Sequence, residues 1–124
     1  MVLSPTIGGL QLQNGTLLYT TVAINLTATG VTQSAALAIT NQHNVFSTVA
    51  ANSGTVLPIP GAGGVEITII NKGANSLNVY PAVGGTIDTL AANTATTVPV
   101  NGQLIIKSSS STQWYTLYLS LIHI

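Results

Sequence analysis

The side chains able to do acid–base or nucleophilic chemistry are few. They are two carboxylates (Glu66 and Asp88), two histidines (His43 and His123), two lysines (Lys72 and Lys107) and a scatter of serines. Glycoside hydrolysis needs two carboxyl groups facing each other across a bond, and Glu66 with Asp88 is the sole pair this chain can offer. Alternating neighbours place Glu66 inside a strand, and Gly84-Gly85 places Asp88 in a loop. The simpler reading has Glu66 on a solvent face and Asp88 ordering its own backbone. His43 with Asp88 and a serine has the composition of a triad, yet no Gly-x-Ser-x-Gly segment exists to present a strained nucleophile. Two histidines with so little carboxylate company make no metal site within one chain. Three copies of His43 around a threefold axis could hold an ion, against the simpler reading of a solvated histidine in Asn41-Gln42-His43-Asn44. No cysteine is present, which excludes disulfides and thiolate zinc sites. The chain therefore reads as a non-enzyme with no catalytic residue, metal ligand or cofactor. One binding feature remains: Trp114 and Tyr115 could form a platform for stacking sugars, although core burial of Trp114 is the simpler role.

The surface must be nearly chargeless. Charged residues make up 3% of the 124 positions, while 46% are hydrophobic, and the net charge is zero. Nucleic-acid binding runs on Lys and Arg displacing counterions from phosphates, and two lysines build no such footprint. A neutral surface also lacks the repulsion that keeps copies apart, so self-association or docking is expected. No apolar run approaches the roughly 20 residues of a membrane span. The start, Met-Val-Leu-Ser-Pro-Thr-Ile-Gly-Gly, lacks the basic region of a signal peptide, so a soluble product of the cytoplasm is expected.

Positioning elements follow from period and punctuation. Residues 1–9, with Pro5, Gly8 and Gly9, read as an extended arm. Leu10 to Tyr19 place Asn14-Gly15 between alternating runs, a hairpin signal. Strands are expected over Thr20–Leu26, Ser34–Thr40, Asn44–Val49, Val65–Asn71, Ser76–Pro81, Thr96–Val100 and Gln103–Lys107, with a long last strand from Thr112. Pro58 and Pro60 confine Val56–Pro60 to an edge or a bulge. In the last strand Leu117, Leu119 and Leu121 share one face while Tyr118, Ile122 and Ile124 make the other apolar too, so both faces need cover. Eight to ten short strands without a convincing helix predict an all-β, jelly-roll-like antiparallel β-sandwich. Its parts would be an arm and hairpin over 1–25, the sandwich core over 26–118 and a strand extension over 119–124. The ends supply the expected partner-binding residues: Val2, Leu3, Pro5 and Ile7 in the arm, with Leu121, Ile122 and Ile124 in the tail.

Three runs carry a family likeness: Thr27-Ala28-Thr29-Gly30-Val31-Thr32-Gln33-Ser34-Ala35-Ala36-Leu37, Gly73-Ala74-Asn75-Ser76-Leu77-Asn78-Val79-Tyr80-Pro81, and Thr112-Gln113-Trp114-Tyr115. From Leu26 to Leu117 the chain resembles a β-sandwich module that recurs in virion proteins of tailed bacteriophages, cyanophages included. The resemblance implies a virion structural protein of the capsid cement or decoration type. Its partner would be the major capsid protein, its place the capsid surface, and its assembly a homotrimer. The alternative is a carbohydrate-binding module on a fibre or capsid appendage, with a glycan as partner and host attachment as its task.

Overall fold

The computed structural model describes the backbone of residues 10–13, 16–19 and 21–119, and the side chains from 21 to 117. It is all-β. Twelve strands are described: β1 (Leu10–Gln13), β2 (Thr16–Tyr19), β3 (Val22–Thr27), β4 (Leu37–Ala38), β5 (His43–Thr48), β6 (Gly54–Val56), β7 (Glu66–Asn71), β8 (Leu77–Tyr80), β9 (Thr86–Ile87), β10 (Thr96–Val98), β11 (Gln103–Ser108) and β12 (Gln113–Leu119). The Asn-Gly hairpin appears as β1 paired antiparallel with β2, forming a ribbon of its own.

The other ten strands form two sheets, one in the order β3-β5-β7-β11-β12-β9 and one in the order β10-β8-β6-β4. Successive strands from β3 to β8 alternate between the sheets, and each lies parallel to the strand one coil before it. This winding differs from the expected antiparallel jelly roll and follows a β-solenoid path. Parallel neighbours cannot be joined by a tight hairpin, so the chain must cross over between them; here the crossover is a strand of the opposite sheet instead of a helix. The path then reverses. β10 runs antiparallel to β8, β11 to β7 and β12 to β11, so the last coil is closed by hairpin-like returns.

Alternation explains which residues point inward. Ile67 and Ile69 of β7 are buried while Glu66 is exposed, as period two requires. Phe46, Leu104, Ile106, Ile87 and Trp114 from the larger sheet meet Leu77, Val79 and Val98 from the smaller in one core cluster. Each such aliphatic side chain contributes roughly 1.5–3 kcal/mol when removed from water.

Four local departures from expectation appear. Ser34–Thr40 is not one strand: Gln33–Ala35 form a 3-10 turn, and only Leu37–Ala38 pair. Thr32 caps that turn, its side chain accepting from the Ala35 N–H. The turn also sits against Gly30, whose φ of 70° and close approach to Ala35 leave no room for a Cβ. β6 stops at Val56, before the two prolines. Thr86–Ile87, expected as loop, is a short strand running parallel to β12. β3 spans the boundary drawn at 25/26, with Asn25 at φ 57° breaking its register against β5.

Candidate functional site

Glu66 and Asp88 do not come together. The Asp88 carboxylate is already engaged: Oδ1 accepts from the Thr116 N–H and Oδ2 from the Thr116 hydroxyl, both at 2.9 Å. Its backbone is tied to the same strand, with the Asp88 N–H donating to the Trp114 carbonyl and the Gln113 amide donating to the Asp88 carbonyl. Glu66 lies exposed on β7, and two strand spacings, about 10 Å, separate β7 from β12. That backbone spacing exceeds the ~5–5.5 Å between carboxyls of a retaining glycosidase and lies near the ~6.5–9.5 Å of an inverting one, but both Asp88 oxygens are taken up by Thr116. Asp88 thus clamps β12 from the turn after β9, a long-range version of the backbone-ordering role.

His43 opens β5 and is half-buried. Its N–H donates to the Thr21 carbonyl, and it pairs in register with Val22 on one side and Thr68 on the other. Four strand spacings, about 19 Å, lie between β5 and β9, so His43 and Asp88 share no triad. His123 lies outside the described residues. Among the described residues no three His, Cys, Asp or Glu gather as a metal would require, and no helix is long and apolar enough to cross a membrane.

The stability role of Asp88 is testable. Asp88→Ala removes two hydrogen bonds to a charged acceptor, each worth roughly 1.5–3 kcal/mol, and at this half-buried position is expected to lower stability by about 3 kcal/mol, the low end of their sum, in urea unfolding. Asp88→Asn can accept from the Thr116 N–H, donate to its hydroxyl and keep the φ of 51° at this position. It should lie within about 1 kcal/mol of wild type. Equal losses for both variants would refute the clamp.

Trp114 is 1% exposed and presents no stacking face, whereas its neighbour Tyr115 is 47% exposed. The platform therefore loses its indole. Leu117 is 55% exposed on the same face as Tyr115, and it is the extra residue of a bulge that sets Thr116 opposite Ile106 and Tyr118 opposite Ile105. The expected partner residues Val2, Leu3, Pro5, Ile7, Leu121, Ile122 and Ile124 lie outside the described residues.

The surface has three features that sequence reading missed. Among the described residues the two most exposed large apolar side chains, Val83 at 81% and Ile59 at 73%, flank one cleft of about 200 Å³ together with Pro60, Ala82 and Thr112. Both sit in loops, where no period marks orientation. A second cleft, about 240 Å³, is lined by Ala51, Asn52, Asn75, Ser76 and Asn78 from two successive coil corners. The third feature is the outer face of the larger sheet. Register places Val22, His43, Thr68 and Ile105 in one row across it, with Val45, Ile70 and Gln103 in the next and Glu66, Lys107 and Tyr115 in another.

Ser108, the last residue of β11, is a buried lock. Its hydroxyl donates to the Ala62 carbonyl and accepts from the Val65 N–H, pinning the glycine loop before β7. Compared with protein-family models, curated proteins and solved structures, the chain matches none of them.

Proposed function

We propose that this protein is a non-catalytic structural subunit of a virus particle, a cement or decoration protein that binds across neighbouring capsid subunits and stabilises the head. The observation that carries this reading is the Ile59–Val83 patch: two large apolar side chains held almost fully in water, on a body whose formal charges number four. Exposed apolar groups gathered at one place on a neutral surface suit docking to another protein. The family likeness of the Gly73–Pro81 and Thr112–Tyr115 runs supports a virion as the setting, the major capsid protein as partner and a homotrimer as the working form. The arm and tail residues Val2, Leu3, Pro5, Ile7, Leu121, Ile122 and Ile124 add reach to neighbouring subunits. The mechanism is burial of apolar surface, worth roughly 25 cal/mol per Å², with no bond made or broken.

The test is co-sedimentation with particles lacking the protein. Wild type should bind equally at low salt and at about 1 M NaCl, where the Debye length falls to about 3 Å and charge pairing on the surface is screened. Ile59→Asp with Val83→Asp, both at exposed positions, should abolish binding while leaving the fold intact by circular dichroism. Removal of residues 1–9 should weaken it. Release of wild type by salt, or undiminished binding of the double variant, would overturn the reading.

A second reading, a carbohydrate-binding module, is favoured by the asparagine-lined cleft. Asn52, Ser76 and the Oδ1 of Asn75 are the groups there that can pair with sugar hydroxyls, since the amides of Asn75 and Asn78 already donate to the Val49 and Asn52 carbonyls. Glycan-array binding that is lost on Ser76→Ala with Asn52→Gly, which keeps the φ of 63° at that position, would favour host attachment over cementing.

A further inference from the structure

β3 is an edge strand of the larger sheet, and no described strand pairs with its outer side. The Thr21 carbonyl accepts from the His43 N–H at the start of β5, so by alternation the N–H and C=O groups of Val22 and Ile24 point away from the sheet. The side chains of both residues are more than half exposed. Edges that stay free in water are commonly blunted by charge, by proline or by a bulge. From Thr21 to Ile24 this edge carries no charge and no proline, and its register breaks only after Ala23, where Asn25 stands at φ 57°.

The segment with matching needs is the β1–β2 ribbon. Its register sets Leu10 opposite Tyr19 and Leu12 opposite Leu17, which places four apolar residues on one face. The ribbon shares no sheet with the body. A hairpin of two strands alone is marginal in water, and a further strand is what stabilises it. Both of its outer edges are open to one. Neither the ribbon nor β3 holds an ionisable side chain that would repel the other, apart from the Tyr19 phenol, which is neutral at pH 7.

The ribbon cannot reach β3 of its own chain. Only Thr20 and Thr21 join Tyr19 to Val22. Thr21 is held in line with β3, its hydroxyl accepting from the Gln42 N–H at 2.8 Å and its carbonyl from the His43 N–H at 3.0 Å. To fold β2 back onto β3, Thr20-Thr21 would have to form a two-residue hairpin turn. The favoured turns of that length hold φ above zero at one or both central residues, which β-branched side chains resist.

We propose that β1–β2 is exchanged between copies: the ribbon of one chain adds to the β3 edge of the next, setting its Leu10, Leu12, Leu17 and Tyr19 face beside Val22 and Ile24. Each copy gives a ribbon at one place and takes one at another. Such a head-to-tail contact repeats around a ring and closes without a two-fold axis, as three copies require. The exchange rests on the homotrimer of the proposed function and supplies its contact. It leaves the Ile59–Val83 patch for the capsid.

The sequence has no cysteine, so introduced cysteines report position without background. Leu17 lies opposite Leu12, near whichever ribbon strand docks. Within one extended chain, seven residues put Leu17 about 23 Å from Ile24, beyond a short bis-maleimide. The full chain carrying both Leu17→Cys and Ile24→Cys should therefore be linked into dimers and trimers on a denaturing gel. Leu17→Cys and Ile24→Cys chains made together should give the mixed dimer, and neither single variant alone should link. Ile24→Lys should turn the trimer to monomer in sedimentation velocity, with the β-rich circular dichroism spectrum retained, and Val22→Lys gives the same readout should the first fail to fold. Linkage within single chains, linkage of Leu17→Cys alone, or a trimer that survives both lysine variants would overturn the exchange while leaving the trimer standing. A wild-type monomer would overturn both.

Discussion

Trp114→Ala is expected to lower unfolding free energy by about 3–5 kcal/mol, enough to leave much of the protein unfolded at 37 °C. Trp114 is the largest fully buried side chain. It lies on β12, where it pairs with Ser108 of β11 on one side and Ile87 of β9 on the other. Removing the indole empties a space that three strands border, and backbones held in register cannot collapse to fill it. Urea unfolding followed by tyrosine fluorescence measures the change, with the m-value reporting whether the native body has loosened. Trp114→Phe refills most of the volume and should recover more than half of the loss. A loss below about 1 kcal/mol for the alanine variant would mean that the indole lies at a surface, and the sugar-platform reading would return.

Much of this architecture is written in local pattern. Val65-Glu66-Ile67-Thr68-Ile69 alternates cleanly, and the structure buries Ile67 and Ile69 while exposing Glu66. Asn101-Gly102 separates β10 from β11 as expected, with Asn101 at φ 65°. What the pattern does not contain is the identity of each strand's neighbour. Period two specifies which residues face inward and is the same for parallel and antiparallel partners. Nothing in His43–Thr48 announces that it pairs with β3 and β7 instead of β6, the next strand in sequence. The connections hold the clue. Segments between successive strands of one sheet are long and contain a strand of the other sheet, which is the length a parallel crossover needs.

The candidate surfaces were less legible for a related reason. Val83 and Ile59 stand in loops, outside any period, so their exposure depends on folds of the backbone set by Gly84, Gly85 and the two prolines. Val45, Ile70 and Ile105 do stand in periodic strands. Each stands beside a buried apolar neighbour, Val45 next to Phe46, Ile70 next to Ile69 and Ile105 next to Leu104 and Ile106, so at those points apolar character alone does not separate the two faces. The Leu117 bulge shows the opposite failure. A strict alternation carries one pairing register through the whole of β12, and one unpaired residue after Thr116 shifts that register against β11.

Asn71→Asp should be nearly as damaging as loss of the tryptophan, although it changes one NH₂ to one oxygen. Asn71 ends β7 fully buried, and its side chain makes three hydrogen bonds with both amide hydrogens used. Its amide donates to the Asn75 carbonyl at 2.8 Å and the Val98 carbonyl at 3.0 Å, while its Oδ1 accepts from the Gly73 N–H at 2.9 Å. Its backbone is engaged as well, accepting from the Asn101 N–H and donating to the Gly102 carbonyl. One residue thus joins the corner after β7 to the ends of β10 and of the turn before β11. An aspartate here keeps the Gly73 contact and turns both donors into acceptors facing carbonyl oxygens, with a buried negative charge. The expected loss at pH 7 is about 3–5 kcal/mol, the range for an uncompensated buried charge. The pH dependence identifies the cause. Carbonyl neighbours and burial raise the carboxyl pKa in the folded state above its unfolded value near 3.9. The folded variant then binds more protons than the unfolded one, so its stability falls as pH rises through that interval and is regained as pH falls toward 4. Wild type has no group at this position to titrate. Thermal melts of both proteins between pH 4 and pH 8 should show the gap in Tm widening with pH. A gap that stays constant across the range would mean that lost hydrogen bonds alone, without buried charge, account for the damage.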